Sequence, residues 1–297
     1  MANSIPRSGA AHSHSYPGLK LRWPASVLWR DTDPAIRKIT TTDVWDSLLE
    51  GFEDFRAMPT HVFFAFFIYP IVGIILGRVL FGYGLLSLIY PMAAGFALLG
   101  PFVAIGLYEL SRRREEGLEP NATQALEVVH RPGMGGILIL GFILAVLFVA
   151  WLYAANLMYT QIMGSEPASV SDFFHEVTGT AKGTDLIVYG NLVGFMFALV
   201  ALVISVVSFP MLVDRNVSVG TAVRTSVRAS VENPGPVALW GLIVAVGLLL
   251  GAIPLLVGLA ITLPILGHAT WHLYRRLVVA PERIPINDAD EEIPAGL

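Results

Sequence analysis

Six long apolar blocks punctuate the chain, at about 62–80, 85–110, 135–158, 186–212, 237–253 and 255–274, each close to the roughly 20 residues a helix needs to cross the hydrocarbon of a bilayer. The runs are continuously apolar and lack the alternation of lipid-facing strands, so helices rather than a barrel are expected. The last two blocks meet at Gly251-Ala-Ile-Pro254 without a polar loop, which predicts a tight hairpin in preference to one long re-entrant segment. The pattern therefore predicts an all-α, polytopic membrane helix bundle of six transmembrane helices over residues 41–277. A flexible arm (1–40) precedes it, and an acidic tail (278–297) with Asp288, Asp290, Glu291 and Glu292 follows.

Between the blocks the period changes to that of an amphipathic helix. Val44, Leu48, Phe52 and Phe55 fall on one face of a segment that Thr42 or Asp43 can cap and Pro59 stops; Val219, Val223, Val227 and Val231 do the same after Ser218 and before Pro234. A shorter version with Ala122, Ala125, Leu126 and Val129 ends at Pro132. The organisation reads as an amphipathic helix followed by a transmembrane hairpin, used three times, with units at about 41–113, 121–215 and 216–277. Residues 101–113 (PFVAIGLYELSRR) and 264–276 (PILGHATWHLYRR) align without a gap and share four of thirteen positions, with Tyr108 opposite Trp271. Such helices can lie in the headgroup plane or pack beneath the bundle and close its end.

Composition agrees with lipid as the solvent. The chain is 55% hydrophobic and 14% charged, with a mean hydropathy of +0.65, more apolar than a soluble core of this size requires. The net charge of −4 owes much to the acidic tail, and nothing resembles a nucleic-acid footprint. Basic residues are distributed very unevenly. Seventeen of the 19 Lys and Arg lie in the arm and the segment that follows it, the loops after the second and fourth blocks and the C-terminal flank, against Arg78 and Lys182 on the other side. This asymmetry predicts a multi-pass protein of the bacterial inner membrane with both termini cytoplasmic. The first forty residues contain no apolar stretch of the signal-peptide kind. The absence of cysteine excludes disulfides, thiolate metal sites and a cysteine nucleophile.

Candidate chemistry is sparse. Glu109 and His272 occupy equivalent positions in the two aligned segments, and His268 stands one turn from His272 on the same helical face. A Glu109–His272 approach would suit proton relay, and the i, i+4 histidines would suit one metal. Local pairing of Glu109 with Arg112 and Arg113 is the structural alternative, and the favoured one, with no metal or cofactor assigned. His12 and His14 in the arm, and His175 beside Asp172 and Glu176, read as solvated. Gly73 with Gly77, Gly190 with Gly194 and Gly247 with Gly251 have the spacing of close helix contacts, and Asn156 and Asn191 that of interhelical hydrogen bonds. Pro70, Pro91, Pro101, Pro210, Pro254 and Pro264 should kink helices or set their ends. No nucleophile elbow, phosphate-binding loop, dinucleotide-binding glycine pattern or HExxH occurs, so no enzymatic activity is expected.

Several longer motifs carry a resemblance. Asp43-Val-Trp-Asp-Ser-Leu with residues 51–56 (GFEDFR), residues 95–112 (GFALLGPFVAIGLYELSR), Asn233-Pro-Gly-Pro236 and residues 267–275 (GHATWHLYR) resemble a proteobacterial family of predicted integral membrane proteins of unknown function. The resemblance implies a six-helix inner-membrane protein and carries no active site. Some members of that family are labelled cytochrome oxidase subunits; this chain lacks the paired intramembrane histidines a haem-copper subunit needs, which leaves an accessory place beside such a complex. Two function classes follow. One is an accessory or scaffold protein that binds a larger membrane complex, such as a respiratory one, or organises lipid. The other is a small transporter or channel with a polar path near Glu109 and His272. Few polar residues lie at membrane depth, which favours the first.

Overall fold

The computed structural model describes residues 34–58, 73, 77, 86–118, 129–130, 133–164, 170–253 and 258–279. Its described elements are helical: α1 (Thr41–Ala57), α2 (Ile89–Phe96), α3 (Gly100–Val103), α4 (Ile105–Glu115), α5 (Met134–Ile162), α6 (Val170–Gly179), α7 (Ala181–Ser205), α8 (Ser208–Asp214), α9 (Val219–Glu232), α10 (Pro234–Ala252) and α11 (Leu259–Leu277). Short 3₁₀ turns flank α2 at Leu86–Leu88 and Ala97–Leu99. Extended pairing among the described residues is limited to Ile36 opposite Val278, where Arg37 N donates to Leu277 O and Val279 N to Ala35 O.

Four stretches are long and apolar enough to cross a membrane: Tyr90–Glu115, Met134–Ile162, Ala181–Asp214 and Pro234–Ala252. They match the second to fifth apolar blocks. The first block lies outside the described residues, apart from Gly73 and Gly77, which are helical. The sixth becomes α11, a 19-residue helix that is not among those four. Its second half carries His268, Thr270, His272, Arg275 and Arg276, and it is sheathed by protein: Leu266, His268, Ala269, Trp271, Leu273, Tyr274 and Leu277 are all buried. The outer surfaces of α5, α7 and α10 are the reverse, with Phe142, Tyr153, Phe195 and Leu242 at least 60% exposed, as expected of helices whose surroundings are lipid.

Two spans are broken, each near a proline. Gly100 and Pro101 open α3, which gives way at Ala104 to α4. In the third span, α7 ends before Pro210, and Ser226 of α9 is inserted into the break: its hydroxyl accepts from Val207 N at 3.2 Å and donates to Val203 O at 2.7 Å. A side chain thus occupies the place of the Val207-to-Val203 rung, one of the recognised causes of a kink. Elsewhere Trp151 donates its indole N–H to Pro91 O at 2.8 Å, tying α5 to α2.

The amphipathic segments form helices whose buried faces are rotated from the expected ones toward their small residues. α1 starts at an N-cap on Thr40, two residues before the expected Thr42, and closes a capping box with Asp43. Its buried face is Val44, Ser47, Gly51 and Asp54, whereas Trp45, Leu49 and Phe52 are 51%, 61% and 45% exposed. Val44 alone of the expected face is fully buried; Leu48 and Phe55 are half-buried. α9 is capped by Ser218 as expected, but it buries Thr221, Ala222, Thr225, Ser226, Ala229 and Ser230 and leaves Val231 72% exposed. The physical reason is common to both. Each helix packs on other helices, α1 on α11 and α9 on α7 and α8, and close helix approach selects small side chains rather than bulky ones. The shorter segment before α5 lies outside the described residues except for Val129 and His130, both exposed.

Candidate functional site

One cluster of polar side chains sits where α1, α4 and α11 meet at the arginine-rich end of the bundle. α1 runs antiparallel to α11, so that Ser47 and Glu50 meet Arg276, Gly51 meets Ala269, and Asp54 meets His268 and His272. Gly51 makes this approach possible: a Cβ there would stand 2.5 Å from the Ala269 nitrogen and 2.7 Å from its Cα.

Asp54 is the centre. It is 3% exposed, and Ser111 of α4 donates its hydroxyl to Asp54 Oδ2 at 2.5 Å. His272 Nε2 lies 2.9 Å from the same oxygen, and Arg114 of α4 pairs with Oδ1. Ser111 Oγ is also 2.7 Å from His268 Nδ1, itself 3.9 Å from Asp54 Oδ2. An ionised carboxylate only accepts. The single Ser111 proton is therefore given to Asp54, and the short contact to His268 requires a proton on His268 Nδ1, which donates to Ser111. Burial pushes the Asp54 carboxyl up, but hydrogen bonds from His272 and Ser111 and the charges of both histidines outweigh it and leave the group below its ordinary value.

Around this centre the charges pair across helices. Arg276 holds Glu50 in a fork at 2.7 and 3.0 Å, and this bond, with the arginine charge, keeps the Glu50 carboxyl below its usual range. His272 Nδ1 is 3.2 Å from Glu50 Oε2. Arg275 reaches Glu115 of α4 at 2.8 Å, and Trp271 donates to the other Glu115 oxygen at 3.0 Å. Tyr274 donates to Asp214 of α8 at 2.6 Å and accepts from Arg215 at 3.0 Å. An open recess of about 410 Å³ faces this cluster, bounded by α1, α4 and α11.

Of the three residues singled out in the sequence, the structure unites two. His268 and His272 share Asp54, while Glu109, fully buried, is held by Arg112 at 2.9 Å and Arg113 at 2.9 Å on its own helix. The carboxylates that meet His272 are Glu50 and Asp54 of α1, so equivalent positions in the aligned segments have different partners. Among the described residues no group of three or more His, Asp or Glu is disposed to hold a metal. Asp54, Ser111 and Arg114 were not candidates in the sequence. The available signal was an aspartate on the same helical stripe as Ser47 and Gly51, a stripe of small residues that marks the packed face. Asn191 does bond across helices, accepting from Tyr90 Oη at 2.7 Å. The glycine pairs are mixed: Gly247 and Gly251 face Leu266 and Thr262 of α11, Gly194 faces Trp151, and Gly190 has nothing within 4 Å.

Four apolar helical spans, in a chain whose described elements are helical, define an all-helical integral membrane protein. Residues 89–214 match the profile of a family described as "Predicted integral membrane protein (DUF2189)", a family of unknown function. The matched span contains the stretch from Gly95 to Arg112 that carries part of the resemblance noted in the sequence. No curated protein and no solved structure matches the chain.

Proposed function

We propose that this protein is an accessory or scaffold protein of the bacterial inner membrane, with both termini in the cytoplasm, that binds a larger membrane complex or organises lipid and performs no catalysis. One observation carries the reading. The acidic groups of the polar cluster pair with guanidiniums and histidines of neighbouring helices, Asp54 with Arg114, Glu50 with Arg276 and Glu115 with Arg275, so the charges join α1, α4 and α11 to one another. The wide apolar surfaces of α5, α7 and α10 supply area for lipid or for helices of a partner complex. The seventeen-to-two distribution of basic residues supports the orientation.

The test is gentle solubilisation followed by co-purification, where a stoichiometric membrane complex is expected. An isolated protein that carries ions across liposomes, with the flux lost in Glu109→Gln or His272→Gln variants that still assemble, would overturn the scaffold in favour of a small transporter or channel. Because the chain has no cysteine, single cysteines at each terminus test the orientation. They should react with an impermeant thiol reagent only after the membrane is opened.

A further inference from the structure

Three sectors run along α1. The small face of Val44, Ser47 and Gly51 packs on α11. Asp46, Glu50 and Glu53 share the next sector, and the last two line the polar recess with Asp54. Trp45, Leu49 and Phe52 form the third, an exposed apolar stripe that Arg56 continues in the same helical repeat. Two sets of contacts fix the level of this stripe. Ile39 N donates to Asn233 Oδ1 at 2.8 Å and Asn233 Nδ2 donates to Arg37 O at 3.1 Å, so Thr40, the N-cap of α1, stands beside Asn233, the N-cap of α10. Further along, Gly51 meets Ala269 of α11; in the hairpin of α10 and α11, Gly247 faces Leu266 and Gly251 faces Thr262, which brings Ala269 opposite Val244. Thr40 to Gly51 and Asn233 to Val244 are equal lengths of chain, so both routes give one register. α1 runs parallel to α10, and at the shared rise of about 1.5 Å per residue Trp45, Leu49 and Phe52 come level with Ala238, Leu242 and Ala245. These three are exposed positions on a span that is long and apolar enough to cross a membrane.

We propose that α1 is set into the lipid beside α10 and not beneath the bundle, with the Trp45, Leu49 and Phe52 stripe extending the lipid-facing surface of α10. The occupant of the stripe is bilayer lipid: headgroups at Trp45, whose amphipathic indole suits the interface, and acyl chain at Leu49 and Phe52. The placement of charge agrees. The acidic residues lie off the stripe, toward the recess, and Arg56, the one basic residue of α1, reaches back over the Phe52 ring at 6.0 Å, toward the end at which α1 and α10 begin. That is how a cation on an apolar surface keeps its head near water. α1 is then a wall with lipid on one flank and the polar recess on the other. The proposal needs only that α10 crosses the bilayer, and it holds whichever function the bundle serves.

The chain has no cysteine, so single-cysteine variants of the full-length protein, labelled with a nitroxide in phospholipid liposomes, test the placement by accessibility to oxygen, which concentrates in lipid, and to a water-soluble nickel chelate. Labels at Leu49→Cys and Phe52→Cys should show an oxygen-to-nickel ratio several-fold above that at Glu53→Cys, and the ratio at Leu49→Cys should match that at Leu242→Cys, its level on α10. Labels at residues 49 and 52 as open to the chelate as the one at residue 53 would put the stripe in water and overturn the proposal. Labels screened from both reagents would overturn it equally, because protein and not lipid would then cover the stripe. A measurement without labels stands beside this one: brominated phospholipid should quench the part of the tryptophan fluorescence that Trp45→Phe removes, and a Trp45 emission untouched by bromine would count against lipid contact.

Discussion

Gly51 of α1 lies against Ala269 of α11 so closely that a single methyl at residue 51 would fall 2.6 Å from the Ala269 Cβ. Backbone is among the atoms met, and backbone cannot swing aside as a long side chain can. Alanine inside a helix ordinarily stabilises by about 0.5–1 kcal/mol relative to glycine, so the sign of the Gly51→Ala effect is informative. We expect destabilisation of about 1–3 kcal/mol, the usual cost of overpacking. Gly190 of α7 has nothing within 4 Å, and Gly190→Ala should be neutral or mildly stabilising. Thermal unfolding of both variants in the same detergent measures the contrast; a Gly51→Ala protein as stable as the parent would mean that α1 does not pack here.

The face that Gly51 occupies explains which parts of the fold were legible in the sequence. Long apolar runs have one physical meaning, so the second to fifth blocks were readable from residue pattern, as was the cap on Ser218. The orientation of α1 and α9 was not. Placing Val44, Leu48, Phe52 and Phe55 inside assumes that bulky apolar side chains seek the core and polar ones seek water. Beside a membrane bundle the outer surroundings need not be water, and the inner contact rewards Ser47, Gly51, Ala222, Ser226 and Ala229 for being small. The candidate site was half legible for a related reason. The alignment put Glu109 and His272 at equivalent places, but equivalence is not contact: helix spacing gives Glu109 its own arginines at i+3 and i+4. His272 is met instead by α1, a helix far away in sequence.

Asp54 should be the most sensitive of the charged positions. Asp54→Ala would strip Ser111, His272 and Arg114 of their common acceptor at a site 3% exposed. Removing one partner from a buried ionic cluster costs about 3–5 kcal/mol. Glu53, in the same recess but on the exposed side of α1, is the control, and Glu53→Ala should change stability by no more than about 0.5 kcal/mol. Chemical denaturation of the two variants side by side decides it, and equal effects would remove Asp54 from the centre of the cluster.

The same carboxylate sets the response to acid. Burial alone would raise the Asp54 pKa, but His272, Ser111 and His268 bring it below the ordinary 3.8. Glu50 is held below its ordinary 4.5, chiefly by the hydrogen bond from Arg276. A carboxylate depressed in the folded state contributes stability that is complete above its unfolded value and disappears as pH falls through the folded one. Unfolding of the wild type should therefore become easier as pH falls below these ordinary values. Asp54→Asn, already less stable at neutral pH, should lose less on acidification. Near-ultraviolet circular dichroism melts at stepped pH provide the measurement; parallel acid profiles for the two proteins would show that Asp54 is not ionised in the folded chain.

Ser226 offers a test of how the broken third span is held. Its hydroxyl stands between Val207 N and Val203 O, and a second serine, Ser208, donates to Ile204 O with Ala222 O of α9 3.2 Å from the same hydroxyl, so α9 lies against the kink at both serines. Ser226→Ala removes the bridge while Pro210 still bars a regular ladder, because its ring crowds the carbonyl four residues back and it has no N–H to give. Leaving buried backbone groups unsatisfied costs about 1–3 kcal/mol. In a Pro210→Ala background the helix is free to straighten and restore the rung from Val207 to Val203, so the serine becomes partly redundant. The two substitutions should then couple, with Ser226→Ala costing about 1 kcal/mol less in the alanine background than in the parent. A double-mutant cycle read by denaturation in mixed micelles measures this. Strict additivity would mean that the kink is imposed by packing and that Ser226 merely fills the space it leaves.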